Sequence, residues 1–304
     1  MKKIYQIDQT KAASLIEKDI VCALKICLKD VASHPIRLIQ ASKSLIGLDL
    51  DCPNQTLLNF SSNCVEKYKK ASNYEIFDYQ TDTNEVISVY DLEKAFLNKD
   101  KASILNMLDQ LSRVSSELHI LEYLIEISLK QSGSSFLLIW SLYKSIAFIS
   151  NKDSKLFIRF ASDIILSDKF EDYIEQDEQW SFKIIKSNSL SMDSIDLYAH
   201  LLEAYNSNLV RSFKIKNLII GLVNRKLNLG SKQFSSNQTI KFIDLLDKDR
   251  FWLIDFINKI DKQKITNDMI LFLDSIRCLF KFSDKSYYKF ICFQFDKFLK
   301  DVDV

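Results

Sequence analysis

Glycine and proline are nearly missing from this chain. It has four glycines (Gly47, Gly133, Gly221, Gly230) and two prolines (Pro35, Pro53) in 304 residues, where average usage supplies roughly twenty and fifteen. Tight turns between strands need residues that reach positive φ or hold φ fixed. A sheet protein of this length needs many such turns, whereas helices joined by short polar links need few. The shortage therefore predicts an all-α fold, built either as a bundle of antiparallel helical hairpins or as an irregular α-solenoid-like stack.

The same shortage removes several chemistries. Loops that cradle phosphates use clustered glycines so that the backbone can approach the ligand. Here the glycines are isolated, and neither G-x-x-x-x-G-K-[ST] nor G-x-G-x-x-G occurs. The G-x-S-x-G nucleophile elbow is missing too. Histidine is limited to His34, His119 and His200, with no H-E-x-x-H and no Cys/His group at zinc spacing. The six cysteines, Cys22, Cys27, Cys52, Cys64, Cys278 and Cys292, form no C-x-x-C pair. Most sit in apolar helical patterns and read as reduced, buried thiols. No run reaches the ~20 apolar residues of a membrane span; the nearest, residues 136–143, stops at Lys144. Behind Met1-Lys2-Lys3 there is no apolar signal region. The expectation is a cytoplasmic protein with no membrane span.

What is present is enough for a core: 47% apolar residues against 27% charged, with 21 Phe and 12 Tyr. Helical periodicity marks residues 10–31, a second helix opened by His34-Pro35, and a third after Pro53. Strand formers at 74–79 and 85–89 predict a small hairpin or linker near 74–90. Ser88-x-x-Asp91 then reads as a capping box. Helices follow at about 89–98, 101–114, 116–131, 134–150 and 153–166. After a weaker stretch at 167–193 come 194–206, 209–229, 237–247, 249–261, 266–281 and 284–300. These divisions suggest an N-terminal helical unit (1–71), a hairpin or linker (72–89) and a main helical domain (90–304) that could subdivide near 167–193. The apolar helix around Trp140 belongs at the centre.

Charge is distributed unevenly. Residues 206–304 hold 18 Lys/Arg against 11 Asp and no Glu, a balance of +7, so the whole-chain +1 leaves −6 for residues 1–205. Such a split can serve an anionic partner or neutralise itself internally, and the internal reading is the simpler. Arg211, Lys214, Arg225 and Lys226 are the partner or anion-binding candidates. In the C-terminal stretch, Phe280, Phe282, Tyr287, Tyr288, Phe290, Phe293, Phe295 and Phe298 alternate with lysines. This pattern reads first as aromatics docked in the core with lysines outside.

Two of the histidines share a local pattern: His119-Ile-Leu-Glu122 and His200-Leu-Leu-Glu203. Residues at i and i+3 lie on one helix face, and helical di-iron proteins use the reverse order, Glu-x-x-His, on inward faces. On a helical wheel both motifs fall opposite the apolar side. His119, Glu122, His200 and Glu203 are therefore expected on solvated surfaces, and no metal or other cofactor is expected. With no catalytic signature, the primary expectation is a non-enzymatic helical interaction protein, an adaptor, scaffold or accessory subunit, whose partner is another protein. The alternative is a helical-bundle enzyme, such as a metal-dependent or cofactor-independent oxygenase, built from scattered His and carboxylates. Nucleic-acid binding through the basic C-terminal part is the weakest alternative.

Overall fold

The computed structural model describes residues 8–27, 34–68, 72–73, 88–149, 154–173, 175, 180, 184–187, 190–227, 251–259 and 265–301. The fold is all-α. Thirteen α-helices lie among the described residues: α1 (Gln9–Leu24), α2 (Ile36–Ile46), α3 (Gln55–Glu66), α4 (Val89–Leu97), α5 (Lys101–Val114), α6 (Glu117–Ser128), α7 (Gly133–Ile146), α8 (Ser154–Ser167), α9 (Met192–Tyr205), α10 (Ser212–Lys226), α11 (Phe251–Lys259), α12 (Asn267–Phe282) and α13 (Tyr288–Asp301). The hairpin residues expected at 74–87 and the helix expected at 237–247 lie outside the described residues.

Helix starts follow from local chemistry. At Ser88 the hydroxyl oxygen accepts from the Asp91 N–H at 3.1 Å, as the capping box predicts. Asp8, Asn54, Asp100, Ser116, Ser191 and Thr266 cap their helices the same way, by accepting from the N–H three residues on.

α1 ends earlier than periodicity predicts. The pattern of Ile16, Ile20 and Leu24 is spent at Leu24, and Ile26–Cys27 (β1) then pairs antiparallel with Ser72–Asn73 (β2), Ile26 opposite Asn73. His34 supplies the physical reason for the stop. Its Nε2 lies 3.0 Å from the Ala23 carbonyl at the end of α1, while its Nδ1 accepts from the Ile36 N–H at 3.2 Å. One imidazole thus satisfies the end of one helix and the start of the next.

The core is a single cluster of buried side chains running from Ala12 to Leu299. α2 packs on α1, α3, α7 and α12; α9 packs on α12, α7 and α10; α6 packs on α7 and α8. α7 is central, as its apolar sequence predicts: Phe136, Ile139 and Leu142 are fully buried. The C-terminal aromatics turn inward. Trp252 meets Phe280 and Phe295 edge-on, and Phe272 stacks on Phe298. Lys281 and Lys289 stay exposed.

Candidate functional site

α9 is the element that departs most from its sequence pattern. Every residue from Ile195 to Ala204 is buried. The stripe Asp196, His200, Glu203, expected to face water, instead faces polar side chains of α12, α7 and α2. This is a correction to the surface reading of His200 and Glu203. Its cause is a second polar stripe on α12, Asp274, Ser275, Arg277 and Cys278, packed directly against the first.

His200 sits at the middle of this cluster. Its Nδ1 is 3.6 Å from Cys278 Sγ and 3.4 Å from Glu203 Oε2. Its Nε2 is 3.3 Å from Asp196 Oδ1 and 3.7 Å from Asp274 Oδ2. Glu203 accepts from Trp140 Nε1 at 2.9 Å and Lys144 Nζ at 2.7 Å, both on α7, and from Arg277 Nη2 at 3.3 Å. Arg277 donates from Nε to Asp274 at 2.6 Å and from Nη2 to Cys278 Sγ at 3.0 Å. On the other side, Asp196 accepts from Ser275 Oγ at 2.9 Å and pairs with Arg37 of α2.

The electrostatics follow from these contacts. Burial opposes the charged form of every group. At Glu203 the cations Lys144, His200 and Arg277 outweigh it and hold the carboxyl well below its usual range. At His200 burial is outweighed by the adjacent Cys278 sulfur and by Glu203, and the pKa rises above the ordinary histidine value. Burial alone carries Arg37 down to about 10 against the pull of Asp274 and Asp193. Burial pushes the thiols of Cys64 up to about 11 and Cys292 up to about 12.

His200, Asp274 and Cys278 bring three potential ligand atoms within 4.8 Å of one another. Cations crowd them, however. Arg277 touches both Asp274 and Cys278, and Lys144 lies on Glu203. A divalent ion would have to displace Arg277 and enter a site whose three carboxylates already face three cations.

No family model, no curated protein and no solved structure matches the chain.

The remaining sequence candidates go elsewhere. His119 is exposed on α6, away from the cluster. Glu122 is not solvated: it is 2% exposed, and its Oε2 accepts from the Val210 N–H at 2.9 Å. The turn before α10 covers that side of α6, which corrects the surface reading there as well. Arg211 and Lys214 both reach Glu126 at 2.7 Å. Arg225 and Lys226 both reach Glu171, at 3.0 Å and 2.6 Å. All four basic candidates therefore face carboxylates of the acidic part of the chain.

Sequence reasoning missed Arg37, Lys144, Asp196, Asp274, Arg277 and Cys278. One signal was available: Lys144 is a lone charge ending the most apolar segment of the chain. A lysine there needs a buried acid, and a polar stripe on a neighbouring helix is the natural source.

Proposed function

We propose that this protein is an enzyme acting on a small molecule through the Cys278–His200 pair. The observation that carries the proposal is a sulfur 3.6 Å from one imidazole nitrogen, with Asp196 3.3 Å from the other. Nucleophile, base and orienting carboxylate in that order form the arrangement by which a weak nucleophile is activated. The chemistry it suits is acyl transfer through a thioester. In the first step His200 accepts the thiol proton as the sulfur adds to a carbonyl carbon, and the leaving group departs with that proton. In the second, His200 takes a proton from water, the hydroxide releases the acid, and the thiol is restored. Arg277, 3.0 Å from the sulfur, supplies a donor beside the carbon under attack.

Access comes through side chains rather than backbone. Cys278 is fully buried, yet Arg37, Lys144 and Arg277 around it keep 20%, 14% and 11% of their side chains in contact with solvent.

Trace iodoacetamide on the folded protein, read by peptide mass spectrometry, tests this reading. Cys278 is expected to be labelled at least about tenfold faster than the buried thiols Cys64 and Cys292, and His200→Gln to remove the advantage. Labelling of Cys278 only after unfolding would overturn the proposal.

A helical interaction protein remains a second reading, and a specific feature supports it. Val210, in the turn before α10, and Phe213, in its first turn, leave 74% and 72% of their surface in water. Large exposed apolar side chains can mark a surface for protein partners. Its test is the intact mass under native conditions.

A further inference from the structure

The corner between α12 and α13 gathers lysines and aromatic rings, and hydrogen bonds hold it in shape. Tyr288 donates to the Phe280 carbonyl at 3.0 Å and packs edge-on against the Phe280 ring, which leaves Lys281, Lys285 and Lys289 exposed around the corner. A fourth lysine comes from far away in the chain. Gln294, buried on α13, donates from Nε2 to the carbonyls of Ile185 and Ser187 at 3.2 Å and 2.8 Å. These two bonds dock the short turn Ile184–Lys186 on α13 and bring Lys186 to the corner. Lys186 Nζ lies 5.1 Å from the centre of the Tyr287 ring and 5.3 Å from that of Phe290. Lys289 Nζ lies over Phe290 at 5.0 Å, and Lys281 Nζ over Phe282 at 4.9 Å. A ring face attracts an ammonium but leaves its charge in place. Among the described residues, none of these four lysines pairs with a carboxylate, and Asp284 is the one acid between 280 and 290. Arg211, Lys214, Arg225 and Lys226, by contrast, all meet glutamates.

We propose that this corner binds single-stranded nucleic acid, with Lys186, Lys281, Lys285 and Lys289 on the phosphates and Phe282, Tyr287 and Phe290 against the bases. The surface stands apart from the Cys278 site and does not depend on it. Charge complementarity selects the partner: four ammonium groups against one carboxylate call for a chain of negative charges. The rings select its form. Each nucleotide of a single strand brings a phosphate and an unpaired flat face together, so one ligand meets both halves of the surface. Where an ammonium now lies over a ring, the base takes the ring face and the ammonium moves to the neighbouring phosphate. A duplex offers the phosphates but keeps its base faces stacked inside. An anionic membrane suits the lysines and not the rings: membrane-seated aromatics leave the protein to enter the lipid, whereas Phe282, Tyr287 and Phe290 all stay half-buried.

The test is fluorescence anisotropy of the full chain with a labelled oligothymidylate of about 20 nucleotides, a duplex of the same length, and phosphatidylserine vesicles. The single strand is expected to bind about tenfold more tightly than the duplex, because only it adds stacking to the phosphate contacts. Four phosphate contacts on a single strand predict a slope of about −3 for log affinity against log salt. Two double variants locate the surface. Lys186→Gln with Lys289→Gln is expected to weaken binding and to flatten the slope by about 1.4. Lys11→Gln with Lys18→Gln removes the same charge from exposed positions on α1 and is expected to change the slope by less than about 0.3. Equal losses in the two double variants would overturn the proposal, since net charge alone would then explain the binding. Equal affinity for duplex and single strand would overturn the role of the rings and the proposal with it. So would binding to the vesicles without binding to the oligonucleotide, or no binding of the oligonucleotide at about 50 mM salt.

Discussion

His34 and His200 are both buried, and their surroundings drive them in opposite directions. His34 lies 3.0 Å from the Ala23 carbonyl and 3.2 Å from the Ile36 N–H, with no carboxylate on its ring. Burial lowers its pKa to about 4. The unfolded chain, with a histidine near 6.5, therefore binds the proton first as pH falls. The stability His34 contributes is complete above about pH 6.5 and is lost on descending toward 4, up to about 3 kcal/mol in all. We expect the wild type to lose about 2.5 kcal/mol more than His34→Gln between pH 7 and pH 4.5, beyond any change common to both, by urea unfolding. An equal loss in both would show that His34 carries no such linkage. His200 has the opposite sign. Its raised pKa gives a contribution that is complete below the ordinary histidine value and fades as pH rises through the folded one. Neither behaviour is legible from a histidine in a sequence, because it depends on which atoms the fold brings to the ring.

Among the helices, α7 and α9 show what a helical pattern fixes and what it leaves open. The burial of Phe136, Ile139 and Leu142 was readable from α7 alone, since a segment apolar on every side has no face for water. α9 reads as half polar and is nonetheless buried throughout, because α12 answers its polar stripe. The two helices also approach closely at Gly133, where an added Cβ would come within 2.6 Å of a Leu197 methyl carbon. Alanine at this position raises helix propensity by up to about 1 kcal/mol but intrudes on a packed leucine, at about 1–3 kcal/mol. Gly133→Ala is expected to destabilise by about 1 kcal/mol in the wild-type background and to stabilise once Leu197→Ala has cleared the space. Denaturant unfolding of the four-member cycle checks the change of sign; the same sign in both backgrounds would rule out the contact as its cause.

At the scale of the whole molecule, one core and one internal charge network join the N-terminal helices to the rest. Residues from α2, α7, α9 and α12 meet at the site, so the site exists only when segments some 240 residues apart have packed together. Four basic residues beyond 206, Arg211, Lys214, Arg225 and Lys226, are met by Glu126 and Glu171 from the acidic part of the chain. Near them two apolar side chains stay exposed, Val210 and Phe213. If the protein works as an adaptor through them, native mass spectrometry of gently purified protein should record an added protein-sized mass, reduced by Phe213→Glu. A bare monomer mass under conditions that preserve other complexes would count against the adaptor reading.

The sequence by itself determined that the chain is all-α, where several of its helices start, and which segment lies at the centre. Those properties depend on local matters: the scarcity of glycine and proline, capping side chains such as Ser88 and Asp100, and runs of apolar residues. It also placed His200 and Glu203 on one face of a helix. Only the tertiary structure decided what that face meets. Periodicity relates a side chain to its own helix axis, but the cost of burying a charge depends on whether another charge is there to receive it. For Glu203 the receiving groups are Lys144 and Arg277, which lie 59 and 74 residues away along the chain.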